Sequence, residues 1–146
     1  MEIVLKDFLN TGTLGEIRIG MSREECRSLF GEPAEFHRGD DLMNASIWIN
    51  GIVTLWFETG VLNRIGLYFI LDYEKNDNIE LNGYFPNRVT KISELVNYME
   101  KSKVIFSETI DKVMKKPILK TKYGVVISYS HDVVNSIIYP EITKNA

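Results

Sequence analysis

Gly20-Met21-Ser22-Arg23-Glu24-Glu25-Cys26-Arg27-Ser28-Leu29-Phe30-Gly31-Glu32-Pro33 holds a complete helix start, a short amphipathic body and a complete helix stop. Ser22 is placed to cap the free N–H groups of a helix beginning at Arg23. Glu25, three residues on, returns a bond to the Ser22 N–H and makes a capping box. Glu24 and Glu25 also sit at the positive end of the helix dipole. Cys26, Leu29 and Phe30 fall at i, i+3 and i+4, so they form one apolar stripe. Gly31 supplies the positive φ that ends a helix, and Pro33 prevents continuation. A two-turn helix is unstable alone and has to dock that stripe on another layer.

Outward from this segment, the chain changes period. Val4, Leu5, Phe8 and Leu9 predict a short helix over 2–10, broken at Thr11-Gly12-Thr13. Residues 14–19 read as a short strand, and 34–44 as a polar loop containing His37, Arg38, Asp40 and Asp41. Two-residue alternation then predicts strands over 46–49, 52–57 and 61–70, with turns at Asn50-Gly51 and at Glu58-Thr59-Gly60. Residues 72–89 are polar and irregular, with Asn76, Asp77, Asn78, Asn82, Gly83, Pro86 and Asn87, and read as a linker. Ile92, Leu95, Val96 and Met99 predict a second helix with Thr90 as its cap. Strands are expected over 104–108, 118–121, 125–130 and 134–139, followed by a short tail that frays from Pro140.

The two halves echo each other at an offset of 72 residues. Phe57, Val61, Leu62, Asn63 and Ile65 match Tyr129, Val133, Val134, Asn135 and Ile137 in type. Each half therefore reads as a helix followed by antiparallel strands. The expected fold is α+β: two helix-on-antiparallel-sheet units in tandem, sharing one curved sheet of about six to eight strands. Residues 1–146 are expected to form a single domain, with 1–72 and 73–140 as candidate pseudo-repeats.

Composition narrows the class of protein. At 146 residues, 45% hydrophobic and 25% charged, the chain has enough apolar material for a core without staples. One cysteine excludes an internal disulfide. The first residues, Met-Glu-Ile-Val-Leu-Lys-Asp, lack the basic-then-apolar order of a signal peptide, and no apolar run reaches membrane-spanning length. A cytoplasmic protein without a membrane role is expected. The net charge of −3 argues against nucleic acid as the main partner. Residues 1–73 carry 6 basic and 11 acidic side chains (−5), whereas 74–146 carry 11 and 9 (+2). An acidic first half can steer a basic partner.

The motif at Gly20, Met21, Ser22, Glu24, Glu25, Leu29, Phe30, Gly31, Glu32 and Pro33 resembles the opening of small bacterial proteins of the SmpA/OmlA type. The β-lactamase-inhibitor protein shares that fold. The resemblance implies helices packed on an antiparallel sheet, in the inhibitor as a tandem repeat. The lead-in Phe8-Leu9-Asn10-Thr11-Gly12-Thr13-Leu14-Gly15 is also similar to that of uncharacterised cytoplasmic bacterial proteins. Some small proteins of this general kind are immunity proteins against secreted toxins. Cys26 lies inside the helix, unlike the lipid-modified cysteine of the SmpA type, and the motif brings no catalytic residue with it.

The residues themselves single out no catalyst. His37 and His131 lie near acids but without metal-ligand spacing, so no metal is expected. Cys26 belongs to a core stripe, Ser22 reads as a cap, and no glycine pattern suits phosphate; no cofactor and no catalytic residue are assigned. The expected function is non-catalytic protein binding, most concretely an immunity-type protein that covers the active site of a basic toxin enzyme. Glu35, Asp40, Asp41 and Trp48 are the expected partner-binding residues: acids for steering, tryptophan for anchoring. A small-ligand or enzymatic pocket between the halves, and a homodimer through an exposed sheet face, stand as alternatives.

Overall fold

The computed structural model describes residues 1–69 and 78–142. The capped segment forms as its spacing predicts. Helix α2 (Arg23–Phe30) starts where the Glu25 N–H donates to Ser22 Oγ at 3.1 Å. The Ser22 N–H in turn donates to Glu25 Oε1 at 3.2 Å. Gly31 ends the helix at φ 79°, and its N–H donates to the Arg27 carbonyl. Its ψ of −171° puts it in a region open only to glycine. Cys26 and Phe30 are fully buried, and burial pushes the Cys26 thiol up to about 12, with help from the Glu25 charge.

The stripe docks on an eight-stranded antiparallel sheet. Its strands are β2 (Glu35–His37), β3 (Ile47–Asn50), β4 (Val53–Glu58), β5 (Val61–Tyr68), β7 (Phe106–Ile110), β8 (Pro117–Thr121), β9 (Val126–Ser130) and β10 (Val133–Tyr139). The spatial order is β2-β3-β4-β5-β10-β9-β8-β7. Two meanders therefore meet at a β5–β10 seam, where Tyr68, Leu67, Gly66 and Ile65 pair with Ser136, Ile137, Ile138 and Tyr139. Helices α1 (Leu5–Thr11) and α3 (Ile92–Lys101) join α2 on one side of the sheet. All three contribute to one core: Phe8, Phe30 and Met99 share it with Trp48, Leu55, Ile65, Ile127 and Ile137.

Several local expectations give way to long-range pairing. The first helix starts at Leu5 because Glu2–Val4 is a strand, β1, parallel to β6 (Glu80–Asn82). Residues 14–19 make a tight turn instead of a strand, with Leu14 and Ile17 exchanging backbone bonds of 2.9 Å. The polar loop at 34–44 contains β2, whose three residues are held by β3. Thr90 does not cap α3; Lys91 stands at the N-cap without a side-chain bond. The Thr90 hydroxyl instead accepts from the Asn87 N–H at 2.9 Å. The linker expected at 72–89 lies partly outside the described residues, as do Ile70 and residues 143–146.

The β4–β5 and β9–β10 hairpins share several local details. The β4–β5 turn has φ 51° at Thr59 and 83° at Gly60; the β9–β10 turn has 50° at His131 and 63° at Asp132. Positive φ at both central residues marks the tight hairpin turn that matches strand twist. Phe57 pairs with Leu62 and Glu58 with Val61, as Tyr129 pairs with Val134 and Ser130 with Val133. Asn63 Nδ2 donates to Glu58 Oε2 at 2.8 Å, and Asn135 Nδ2 to Ser130 Oγ at 2.9 Å. The Leu62 N–H donates to the Met21 carbonyl before α2, and the Val134 N–H to the Thr90 carbonyl before α3.

Ser22→Ala removes half of the capping box and is expected to cost about 1 kcal/mol in denaturant unfolding. The Cys26 thiol, buried and hardly ionised at neutral pH, is expected to resist a thiol-specific reagent until the chain is unfolded. Labelling of the folded chain as fast as the unfolded chain would show that α2 is not docked.

Candidate functional site

Alternation along a strand sends successive side chains to opposite faces. In β4, Val53, Leu55 and Phe57 enter the core, which leaves Thr54 and Trp56 on the face that carries no helix among the described residues. Register extends that face across the sheet. Thr54 pairs with Gly66, Gly66 with Ile138, and Ile138 with Val126. Ile138 and Val126 are 8% and 6% exposed although they lie outside the helix-covered core. They form an apolar floor near the middle of the sheet.

Gly66 decides the shape of this face. A Cβ built there would stand 2.9 Å from Trp56 Cζ3, 2.9 Å from Tyr68 Cε2 and 3.1 Å from Trp56 Cη2. The glycine is needed for space: only a hydrogen fits beneath the two rings. Trp56 and Tyr68 lie with centroids 5.8 Å apart, tilted by 56°. The Arg64 guanidinium sits 5.5 Å from the Trp56 ring centroid. Its Nε is buried without a hydrogen-bond partner among the described residues, and the negative face of the ring attracts the cation. Trp56, Arg64 and Tyr68 all remain partly exposed. The result is a pre-formed aromatic platform flanked by Ile47, the cross-strand partner of Trp56, and by Ile49.

Charge marks the ends of the platform. Glu35 pairs with Ile49 in register and therefore faces the same side, at the β2 edge. It bonds His37 Nε2 at 3.1 Å. Toward the other edge Lys120, the register partner of Val126, is bound by Glu141 at 2.7 Å. Glu35 thus stands at one end of this face, and Lys120, partnered by Glu141, toward the other.

The residues selected from sequence divide three ways. Glu35 lies on the platform side. Asp40 and Asp41 are exposed in the β2–β3 loop, but Asp41 Oδ1 accepts from the N–H groups of Met43 and Asn44 and shapes that loop. Trp48 is fully buried, pairs with Leu55 on the core side and donates its indole N–H to the Leu42 carbonyl at 2.9 Å. Its ring lies 4.8 Å from Phe57 and 6.5 Å from Phe30. Trp48 is a core hub and offers no surface for a partner. Trp56 takes the exposed position, and the alternation of 52–57 already set it opposite Val53, Leu55 and Phe57. The space beneath its ring depends on Gly66, which no local pattern identifies.

No group of three or more His, Cys, Asp and Glu is gathered as a metal site among the described residues. A surface cleft of about 320 Å³ is lined by Asn10, Lys103, Ile105, Lys122 and Tyr123. It contains neither His37 nor His131, so it does not bring a histidine and acids together. No helix among the described residues is long and apolar enough to cross a membrane. Compared with known proteins, the chain matches no protein family, no curated protein and no solved structure.

Gly66→Ala is expected to push the Trp56 and Tyr68 rings off the strand. Overpacking of this kind costs about 1–3 kcal/mol. The loss is read in denaturant unfolding, and the ring movement in the near-ultraviolet circular dichroism of the folded protein. An unchanged aromatic signal would mean that the rings do not rest on Gly66.

Proposed function

We propose that this chain is a non-catalytic protein-binding protein that presents the Trp56–Gly66–Tyr68 platform to a basic enzyme and blocks it, in the manner of an immunity protein in the cytoplasm. The observation that carries this reading is the platform itself. Two large aromatic side chains are held partly exposed, over a glycine, on a sheet face that carries no helix among the described residues. Rigid aromatic area of this kind anchors protein interfaces, because little side-chain freedom is lost on binding. The acidic balance of residues 1–73, with Glu35 and Asp40 exposed beside the platform's β2 end, supplies steering toward a basic surface.

The repeated turns, register steps and Asn63/Asn135 bonds support a tandem pair of helix-on-sheet units sharing one curved sheet, as the resemblance to the SmpA/OmlA type and the β-lactamase-inhibitor protein implies. On this reading the seam between the units lies under the platform. A partner seated there touches both halves at once.

The test uses the chain immobilised in native-cell extract, followed by an activity assay on the captured protein. The expected result is retention of a basic enzyme, inhibition of that enzyme by added chain, and weaker retention as salt is raised. Trp56→Ala is expected to cost at least about 2 kcal/mol of binding. Glu35→Gln with Asp40→Asn is expected to slow association and leave dissociation unchanged. Capture that is indifferent to Trp56, or a captured protein that keeps full activity, overturns the proposal.

A further inference from the structure

The sheet ends in two unequal edges. At one end β2 has three residues, and Glu35 and His37 on it bond each other. A short, charged edge is a poor template for further pairing. At the other end β7 has five residues, four of them exposed, and contains no proline and no lysine. Exposed apolar side chains cluster around it: Ile105 and Ile110 are 63% and 55% exposed, and Met114 in the following turn is 63% exposed. These do not belong to the platform or to the core.

The direction of the free backbone groups follows from the bonds at the strand's two ends. The Lys122 N–H donates to the Ile105 carbonyl, and the Asp111 N–H to the Lys116 carbonyl, each at 2.8 Å. Odd-numbered residues of β7 thus turn their backbone groups toward β8. Phe106, Glu108 and Ile110 turn theirs away from the sheet. A strand added here must pair with those three.

We propose that β7 pairs antiparallel with β7 of a second copy, about a two-fold axis at Thr109, to make a symmetric dimer with one continuous sheet. Only registers that oppose outward-turned residues can form the ladder. An axis at Glu108 would place two carboxylates directly opposite, which is repulsive. An axis at Ser107 would extend the pairing into Val104, which is 4% exposed and already in the core. The axis at Thr109 opposes Glu108 with Ile110 of the second copy and Thr109 with itself, a favourable cross-strand pair. It moves the two Glu108 carboxylates from directly opposite to diagonal positions, with Lys112 of each copy in the turn just beyond the ladder. It also carries the exposed turn residues Val113 and Met114 toward the second copy's exposed Ile105. The patch is thus self-complementary in apolar surface, as a two-fold interface requires.

The experiment measures solution mass by light scattering on the full chain and on variants. The expected mass for the unaltered chain is twice 16.8 kDa. Glu108→Pro removes an N–H that points out of the sheet, so the β7–β8 ladder survives while the dimer falls to half the mass. A cross-link supplies a second readout that does not depend on Glu108→Pro folding. Thr109 opposes itself as a non-hydrogen-bonded pair, with Cα atoms about 4.5 Å apart, a separation that suits a disulfide. Thr109→Cys is expected to give a covalent dimer on mild oxidation, and Ser107→Cys to give none; the buried Cys26 does not compete. A chain that stays at 16.8 kDa with no Thr109→Cys cross-link overturns the proposal. So does a dimer that survives Glu108→Pro, or one that cross-links through Ser107→Cys.

Discussion

The pairing of β5 with β10 is the constraint on which the rest of the structure depends. Ile65 and Leu67 on one strand and Ile137 on the other are fully buried, and they belong to both meanders' share of the core. The paired residues are about 70 positions apart in the chain, so closing this contact costs loop entropy that must be recovered by burial. The three helices contribute that burial from one side only. Phe8 and Leu9 of α1, Phe30 of α2 and Leu95 of α3 all enter the same cluster as the seam residues. Disrupting the seam would divide that cluster and leave each meander with an apolar face too small to stand alone.

Covering one face of a sheet leaves the other to be explained. On the second face the seam brings Gly66 beside Ile138, and the two rings of Trp56 and Tyr68 rest where the glycine gives them room. The platform and the core are therefore two consequences of the same register. A one-residue slip at the seam would send Ile137 outward and Ile138 inward, and would carry Gly66 away from the floor. Specificity of the fold and placement of the candidate binding surface are set by the same four residue pairs.

The sequence is most legible where structure is local. Ser22, Glu25, Gly31 and Pro33 determine α2 through bonds within one turn of each end, and the helix ends fall where those residues place them. The turns at 59–60 and 131–132 are legible for the same reason. Legibility fails where a partner is distant. Glu2–Val4 looks helical beside Phe8 and Leu9, but β6 claims it for a parallel pair. Thr90 has the chemistry of a cap, but its carbonyl is taken by Val134 and its hydroxyl by Asn87. The two tryptophans show the limit most clearly. Trp48 and Trp56 lie in neighbouring strands of similar composition. Their opposite fates follow from register: Trp48 faces Leu55, and Trp56 faces Ile47 and Arg64.

Edge and face make separate demands on the same strands. Along β7 the residues with outward backbone groups, Phe106, Glu108 and Ile110, place their side chains on the helix side, because they alternate with Ser107 and Thr109. Ser107 lies in register with Lys120 and Val126 on the platform side. Edge pairing through β7 thus leaves the platform uncovered. A two-fold axis normal to the sheet keeps the like faces of both copies on the same side, so a dimer presents two Trp56 platforms in one direction. Such a pair can hold a symmetric or surface-bound partner at two points, and the second contact forms at an effective concentration set by the sheet between them rather than by free diffusion. A continuous sheet is a stiffer spacer than a flexible linker. The gain therefore depends on how closely the partner's own spacing matches it.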